Sequence, residues 1–230
     1  MPKIRFLRIR FDHPIFPYDI PRFRAAVIEK TEREAPLFHN HHGDSGYMYR
    51  YPLIQYKVTY KKASIICVNE GADEIHHLLQ HRDMTLRVGD KVNNFSVEDV
   101  DLGYFQVQTW QSSFDYSLLN WLALNQVHHR RFLELEGNDT EQLQLLESIL
   151  TGNILSLAKG IGWTVDEQIQ VKITELRRLK MLPFKKRQVL AFTLNFQSNV
   201  SLPDFVGLGK GASVGFGVVK GIKLDYDKNK

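Results

Sequence analysis

The stretch from Tyr51 to Asn69, YPLIQYKVTYKKASIICVN, decides the fold. Val, Ile, Tyr and Thr dominate it and the polar pair Lys61-Lys62 interrupts it, so it predicts two strands, 51–60 and 63–69, joined as a hairpin. Such a hairpin needs further strands and a covering layer before it is stable. The flanking sequence supplies both.

Upstream, KIRFLRIRF (3–11) alternates, but its parity slips at Phe6-Leu7. Ile4 and Phe6 point one way and Leu7, Ile9 and Phe11 the other, as in a strand with a bulge or with both faces partly covered. After Pro14, Pro17 and Pro21, the segment RFRAAVIEKTERE has helical composition, with Asp19 as N-cap and Phe23, Ala26, Val27 and Lys30 near one face. Downstream, Gly71 precedes ADEIHHLLQHR, where Ala72, Ile75, Leu78 and Leu79 form an apolar stripe at helical spacing. A last strand is expected around 85–92. The order strand, helix, strand, strand, helix, strand is the ferredoxin-like arrangement shared by many RNA-binding sheets.

The second half reads similarly. Residues 104–110 are a strand candidate, and NWLALN is a strand end or a helix start. A helix from about 140 to 159 is offered caps by Asn138, Asp139 and Thr140. Its apolar side is Leu143, Leu146, Ile149, Leu150, Ile154 and Leu157, with Gly160 as the stop. Strands at 168–176, 188–195 and 214–224 follow. The fold class is α+β, two lobes with antiparallel sheets and a C-terminal glycine-rich loop. The boundary falls in the acidic stretch SVEDVDLG, giving lobes of 1–98 and 99–230.

Composition bounds the function. The 230 residues are 43% apolar and 24% charged, and no apolar run approaches the roughly 18 residues of a membrane span. The N-terminal MPKIRFLRIRFDHPIF reads as structure and not as a signal peptide. The single cysteine, Cys67, rules out an intramolecular disulfide and reads as a buried reduced thiol, so a cytoplasmic protein is expected. Charge is uneven: residues 1–171 carry 18 Lys+Arg against 22 Asp+Glu, whereas 172–230 carry 12 against 4. A basic C-terminal end is the footprint of a phosphate-backbone binder, or a solvated basic face.

Five glycines fall within the eleven residues GLGKGASVGFG, 207–217. Glycine permits positive φ and lets backbone N–H groups approach a phosphate. The Walker A spacing fails, since Ala212 stands where its second glycine belongs. Gly207, Gly209 and Ala212 satisfy the loose dinucleotide pattern, but the helix that pattern requires does not follow. The loop is an RNA-contact candidate or a wide turn.

The run LPDFVGLGKGASVGFGVVKG resembles the C-terminal glycine-rich signature of the RAMP superfamily. NWLALN, ILTGNILSLAKGIGW and RYPLIQYK are similar to its CRISPR-associated repeat-processing endoribonucleases, in the branch with an N-terminal histidine pair. The resemblance implies tandem ferredoxin-like (RRM-like) lobes and a glycine-rich loop that contacts RNA. It carries that contact to Gly207, Gly209, Lys210, Gly211, Ser213 and Gly215, beside the basic cluster Lys185, Lys186 and Arg187. It implies CRISPR precursor RNA as partner, and leaves open an effector complex and a second copy of the chain.

FHNHH, 38–42, places three of nine histidines together. Histidine both accepts and donates a proton near its pKa of roughly 6.5, so a pair can act as base and acid on one phosphodiester. The base frees the 2′-hydroxyl to attack the adjacent phosphorus, and the acid protonates the leaving 5′-oxygen. This needs no cofactor. His39 and His41, at i and i+2, share a side of an extended segment. The resemblance gives them the catalytic roles, with His42 a rival for either and the division into base and acid open. Metal binding is the lesser reading: Gly43 stands where His-x-His-x-Asp-His needs its aspartate, and no further ligand cluster accompanies it. His76-His77 and His128-His129 read as solvated helix flanks. Tyr47, Tyr49 and Tyr51 are base-stacking candidates or ordinary strand tyrosines. The function expected is a metal-independent endoribonuclease acting on CRISPR repeat RNA, with a guide-holding, non-cutting RAMP subunit as the alternative.

Overall fold

The computed structural model describes residues 3–31, 36–39 and 51–222, with Pro36 and His39 described by their backbone alone. The described residues fall into two compact units. One lies within 1–106, 156–164 and 211–215, the other within 107–155, 165–210 and 216–230.

The first unit runs β1 (Lys3–Pro14), α1 (Ile20–Lys30), α2 (Pro36–His39), β2 (Ile54–Thr59), β3 (Lys62–Val68), α3 (Glu70–Glu74), α4 (His76–Leu79), β4 (Thr85–Val88), β5 (Lys91–Asn94) and β6 (Val97–Gln106). Its main sheet has the order β2-β3-β1-β6, antiparallel throughout. This is the ferredoxin-like order, first and third strands central. Leu7, Ile9 and Phe11 of β1 enter one core with Phe23, Ala26 and Val27 of α1, while Ile4 is buried on the opposite face. Both faces of β1 are therefore at least partly covered, which explains the parity slip. Asp19 does not cap α1 through its side chain; its carboxylate accepts a hydrogen bond from Arg22 Nη1 at 2.9 Å.

The opening hairpin forms as expected, one residue earlier at its turn. Tyr60 and Lys61 both take positive φ, 52° and 65°, the two-residue geometry whose twist matches that of the strands. The fourth strand departs from expectation. Residues 85–92 build the separate β4–β5 hairpin, and β6 takes the outer position beside β1. The acidic residues that interrupt the alternation in 96–103 are this strand's charged face. Asp101 lies opposite Arg8 and Asp99 opposite Arg10. Arg8 Nη2 is 3.2 Å from Asp101, and Arg10 Nε is 2.9 Å from Glu98. Hydrogen bonds from Lys62 and Arg10 hold the Glu98 carboxyl below the usual range. The stretch expected to part the lobes thus runs inside a strand of the first sheet.

The second unit runs β7 (Thr109–Trp121), α5 (Gln126–Glu134), α6 (Asp139–Gly160), β8 (Val171–Phe184), β9 (Arg187–Val200) and β10 (Val218–Gly221), with the last turn of α6 belonging to the first unit. Its sheet order, β10-β7-β9-β8, repeats that of the first. NWLALN holds both a strand end and a cap: Trp121 closes β7, and the Asn125 side chain accepts the His128 N–H at 2.8 Å. Asn138 caps α6 through the Glu141 N–H. The helix ends at Gly160, as expected, and the chain turns away at Gly162, φ 73°, where the Trp163 N–H reaches the Ala158 carbonyl at 2.8 Å. Gly160 also makes room for Tyr51, whose Cβ lies only 2.3 Å from where a Cβ on Gly160 would stand. Between β9 and β10, in the place of a second helix, lies the glycine-rich loop.

Candidate nucleic-acid interface

β8 and β9 pair from Val171–Ser198 to Phe184–Arg187. The two-residue turn that joins them is Lys185-Lys186, both with positive φ, 48° and 63°. Lys185, Lys186 and Arg187 are exposed at the tip. Along this hairpin seven cations, Lys172 to Arg187, face a single carboxylate, Glu175, and Asn195 Nδ2 donates to that carboxylate at 2.7 Å.

Phe184 ends β8 just before the turn and gathers the basic residues. The Lys185 ammonium lies 5.9 Å from its ring centroid and that of Lys210, from the glycine-rich loop, 5.4 Å. Phe216 meets the same ring edge-on at 5.4 Å and 86°. Two candidate RNA-contact groups far apart in sequence are thus brought together. Half-buried rings beside exposed ammonium groups are what a single-stranded nucleic acid requires, a face for a base and charge for its phosphate. Phe184 and Phe216 escaped the sequence analysis, although each adjoins residues it selected, in FKKR and in GFG.

The loop is pinned by its backbone. Lys210 bridges to Leu122 and Gly207 to Val218, the Leu208 N–H donates to the Gly217 carbonyl at 2.8 Å, and the Gly217 N–H donates to Asn120 at 3.2 Å. Gly209 has φ 78°, and a Cβ there would overlap Asn153 Oδ1 and Trp121 Nε1, which are themselves hydrogen-bonded at 2.8 Å. Gly217, φ 60°, would drive a Cβ into the Leu208 carbonyl. Neither position tolerates a side chain. The middle of the loop, Gly211–Gly215, belongs to the first unit. There Ala212–Val214 makes a 3-10 turn between Gly211 and Gly215, both left-handed, with Ser213 half-buried.

His39 is the last residue of α2, a helix fixed by Phe38, which is fully enclosed in the first core. The His39 side chain, and all of His41 and His42, lie outside the described residues, as do Tyr47 and Tyr49. Tyr51 is a core residue: it is buried, and its hydroxyl accepts from Gln55 Nε2 at 2.8 Å. The His76 and His77 rings lie 4.0 Å apart beside α3, tilted by 36°, His76 exposed and bonded through Nδ1 to the Asp73 carbonyl at 2.6 Å. Among the described residues no three His, Cys, Asp or Glu side chains converge as metal ligands, and no helix is long and apolar enough to cross a membrane.

Two sheets of ferredoxin-like strand order, the second with a glycine-rich loop where its second helix would be, are the arrangement expected from the RAMP resemblance. Residues 2–106 match the model of the Cas6b N-terminal domain and residues 108–222 that of the Cas6b C-terminal domain, so the chain belongs to the Cas6b family. A crystal structure of Cas6b superposes with a TM-score of 0.87 at 24% identity, over 96% of this chain and 100% of that one. A CRISPR RNA processing endoribonuclease Cas6b gives 0.73 at 22% identity, over the same shares. An uncharacterized protein of Methanocaldococcus jannaschii is 33% identical over 99 residues, 43% of this chain and 65% of that protein, so the match spans less than two thirds of its length.

Proposed function

We propose that this chain is an endoribonuclease that cuts CRISPR precursor RNA within the repeat to yield guide RNA. The supporting observation is the convergence of Lys185 and Lys210 on Phe184, which joins the hairpin tip and the glycine-rich loop into one basic, aromatic patch. In this reading the repeat is held through Lys185, Lys186, Arg187, Lys210 and the loop backbone at Gly207, Gly209, Gly211, Ser213 and Gly215. The histidine pair supplies the chemistry. One of His39 and His41 takes the proton of the 2′-hydroxyl, whose oxygen attacks the adjacent phosphorus. The other gives a proton to the departing 5′-oxygen, leaving 2′,3′-cyclic phosphate and 5′-hydroxyl ends without a metal. A transcript as substrate makes the cytoplasm the site of action, and an effector complex the natural recipient of the product.

The test is cleavage of a matching repeat RNA in EDTA. Cutting with a cyclic-phosphate end, and a substrate bound but left intact when the scissile 2′-hydroxyl is replaced by hydrogen, is the expected result. Cleavage of that deoxy substrate, or cleavage abolished by the chelator, would overturn the mechanism. RNA that is bound and never cut would favour the guide-holding subunit.

A further inference from the structure

β2 carries a row of polar side chains on the face turned away from the main core of its unit. Gln55, Lys57 and Thr59 are all enclosed, as is Ser64 opposite Lys57 on β3. Most of the row is satisfied locally. Gln55 Nε2 donates to the Tyr51 hydroxyl and to the Pro52 carbonyl at 2.9 Å, and the Thr59 and Ser64 hydroxyls bond each other. Lys57 reaches further. Its amine donates to the carbonyl of Ala212 at 2.7 Å, in the turn between Gly211 and Gly215.

That contact lies where the loop rests on the strand. Ala212 is buried, and Gly215 passes so close to the Tyr56 carbonyl and Ile20 that a Cβ would strike the Ile20 side chain. The amine of a fully enclosed lysine loses its hydration, and one acceptor does not replace it. A methionine would fill a similar volume without that penalty. The amine therefore opposes stability, and what it provides in return is a fixed position for one loop carbonyl.

We propose that Lys57 is the positioning residue of the glycine-rich loop, its amine holding the Ala212 carbonyl so that the Gly211–Gly215 backbone keeps the form that receives RNA phosphate. The proposal rests on the reading of this loop as an RNA-binding element. It concerns a residue that never touches RNA, since Lys57 is wholly enclosed. Burial alone pulls its pKa down to about 7; no charged side chain contributes to the shift.

The experiment compares wild type with Lys57→Met and Lys57→Gln, full chain, at one pH. Amide hydrogen exchange of Gly209–Gly217 without RNA should be about tenfold faster in Lys57→Met, the worth of one hydrogen bond. In single-turnover cleavage of repeat RNA, the half-saturating protein concentration should rise by about the same factor, while the rate at saturation stays unchanged. Resistance to denaturant should be equal or greater, which separates positioning from a structural role. Unchanged loop exchange in Lys57→Met overturns the proposal, and so does failure of both variants to fold, since the amine would then serve the sheet. If wild type neither binds nor cuts repeat RNA, the functional reading fails while the exchange result still judges Lys57.

Discussion

The two lobes share one strand order and treat the hairpin between their second and third strands in opposite ways. In the first lobe β2 and β3 are six and seven residues long and almost wholly enclosed. In the second, β8 and β9 run 14 residues each, and most of β8 is exposed. Both hairpins close with a two-residue, left-handed turn made without glycine. Topology is therefore common property, and side chains set what the hairpin is for. Enclosure on both faces made β2–β3 a packed wall with a buried polar row. Arg177, Arg178 and Lys180 along β8 keep an exposed edge strand soluble and unpaired, so that hairpin can project a basic tip. The second difference is what joins the third strand to the last: two short helices and the β4–β5 hairpin in one lobe, a glycine-rich loop in the other.

The largest effect should come from separating chemistry from binding. His39→Ala with His41→Ala should slow cleavage by about 10²-fold or more and leave RNA affinity intact, measured on the same preparation; normal turnover would shift attention to His42. Next, Phe192→Ala, in the core of the second sheet, should lose about 3–5 kcal/mol in denaturant titration, because Phe192 is fully buried beside Trp121 and Phe132. Gly209→Ala should cost about 1–3 kcal/mol through its backbone conformation and weaken RNA binding, whereas Gly103→Ala, in β6 with open space around its Cα, should do neither.

A smaller effect follows from pH. Lys57 titrates at about 7 when folded against an ordinary 10.5, so between those values the unfolded chain binds more protons. Stability should rise with pH across that window, by up to about 1.4 kcal/mol per unit. Burial raises the Cys67 thiol from 9.0 and the hydroxyls of Tyr51 and Tyr56 from 10.0; these acids ionise more readily unfolded and oppose the rise above about pH 9. Lys57→Met should flatten the rise, as denaturant midpoints at a series of pH values would show. The smallest change is electrostatic: Lys185→Ala and Lys210→Ala should each lower the salt dependence of RNA binding by about 0.7 in log–log slope, the value of one phosphate contact on a single strand. An unchanged slope in both would detach the hairpin tip from the RNA path.

Local signals carried most of the first sheet. The β2–β3 hairpin, the α1 face and α6 were legible because apolar spacing reports which side is covered. β6 was not, because its carboxylates make sense only beside arginines of β1, some ninety residues earlier. The convergence at Phe184 and the burial of Lys57 were hidden for the same reason. Each depends on a partner from the glycine-rich loop, and no window of sequence contains both. The basic cluster and the loop glycines could be named singly, since lysine and glycine carry their chemistry wherever they stand.

Cys67 is the chain's single thiol and lies fully enclosed in β3. A thiol reagent added to the folded protein can reach it only when the first sheet opens, so its modification rate is a clock for that opening. The same concealment leaves the surface free for labelling: a cysteine introduced at the tip by Lys186→Cys would take a dye alone and report the motion of the basic arm as RNA arrives.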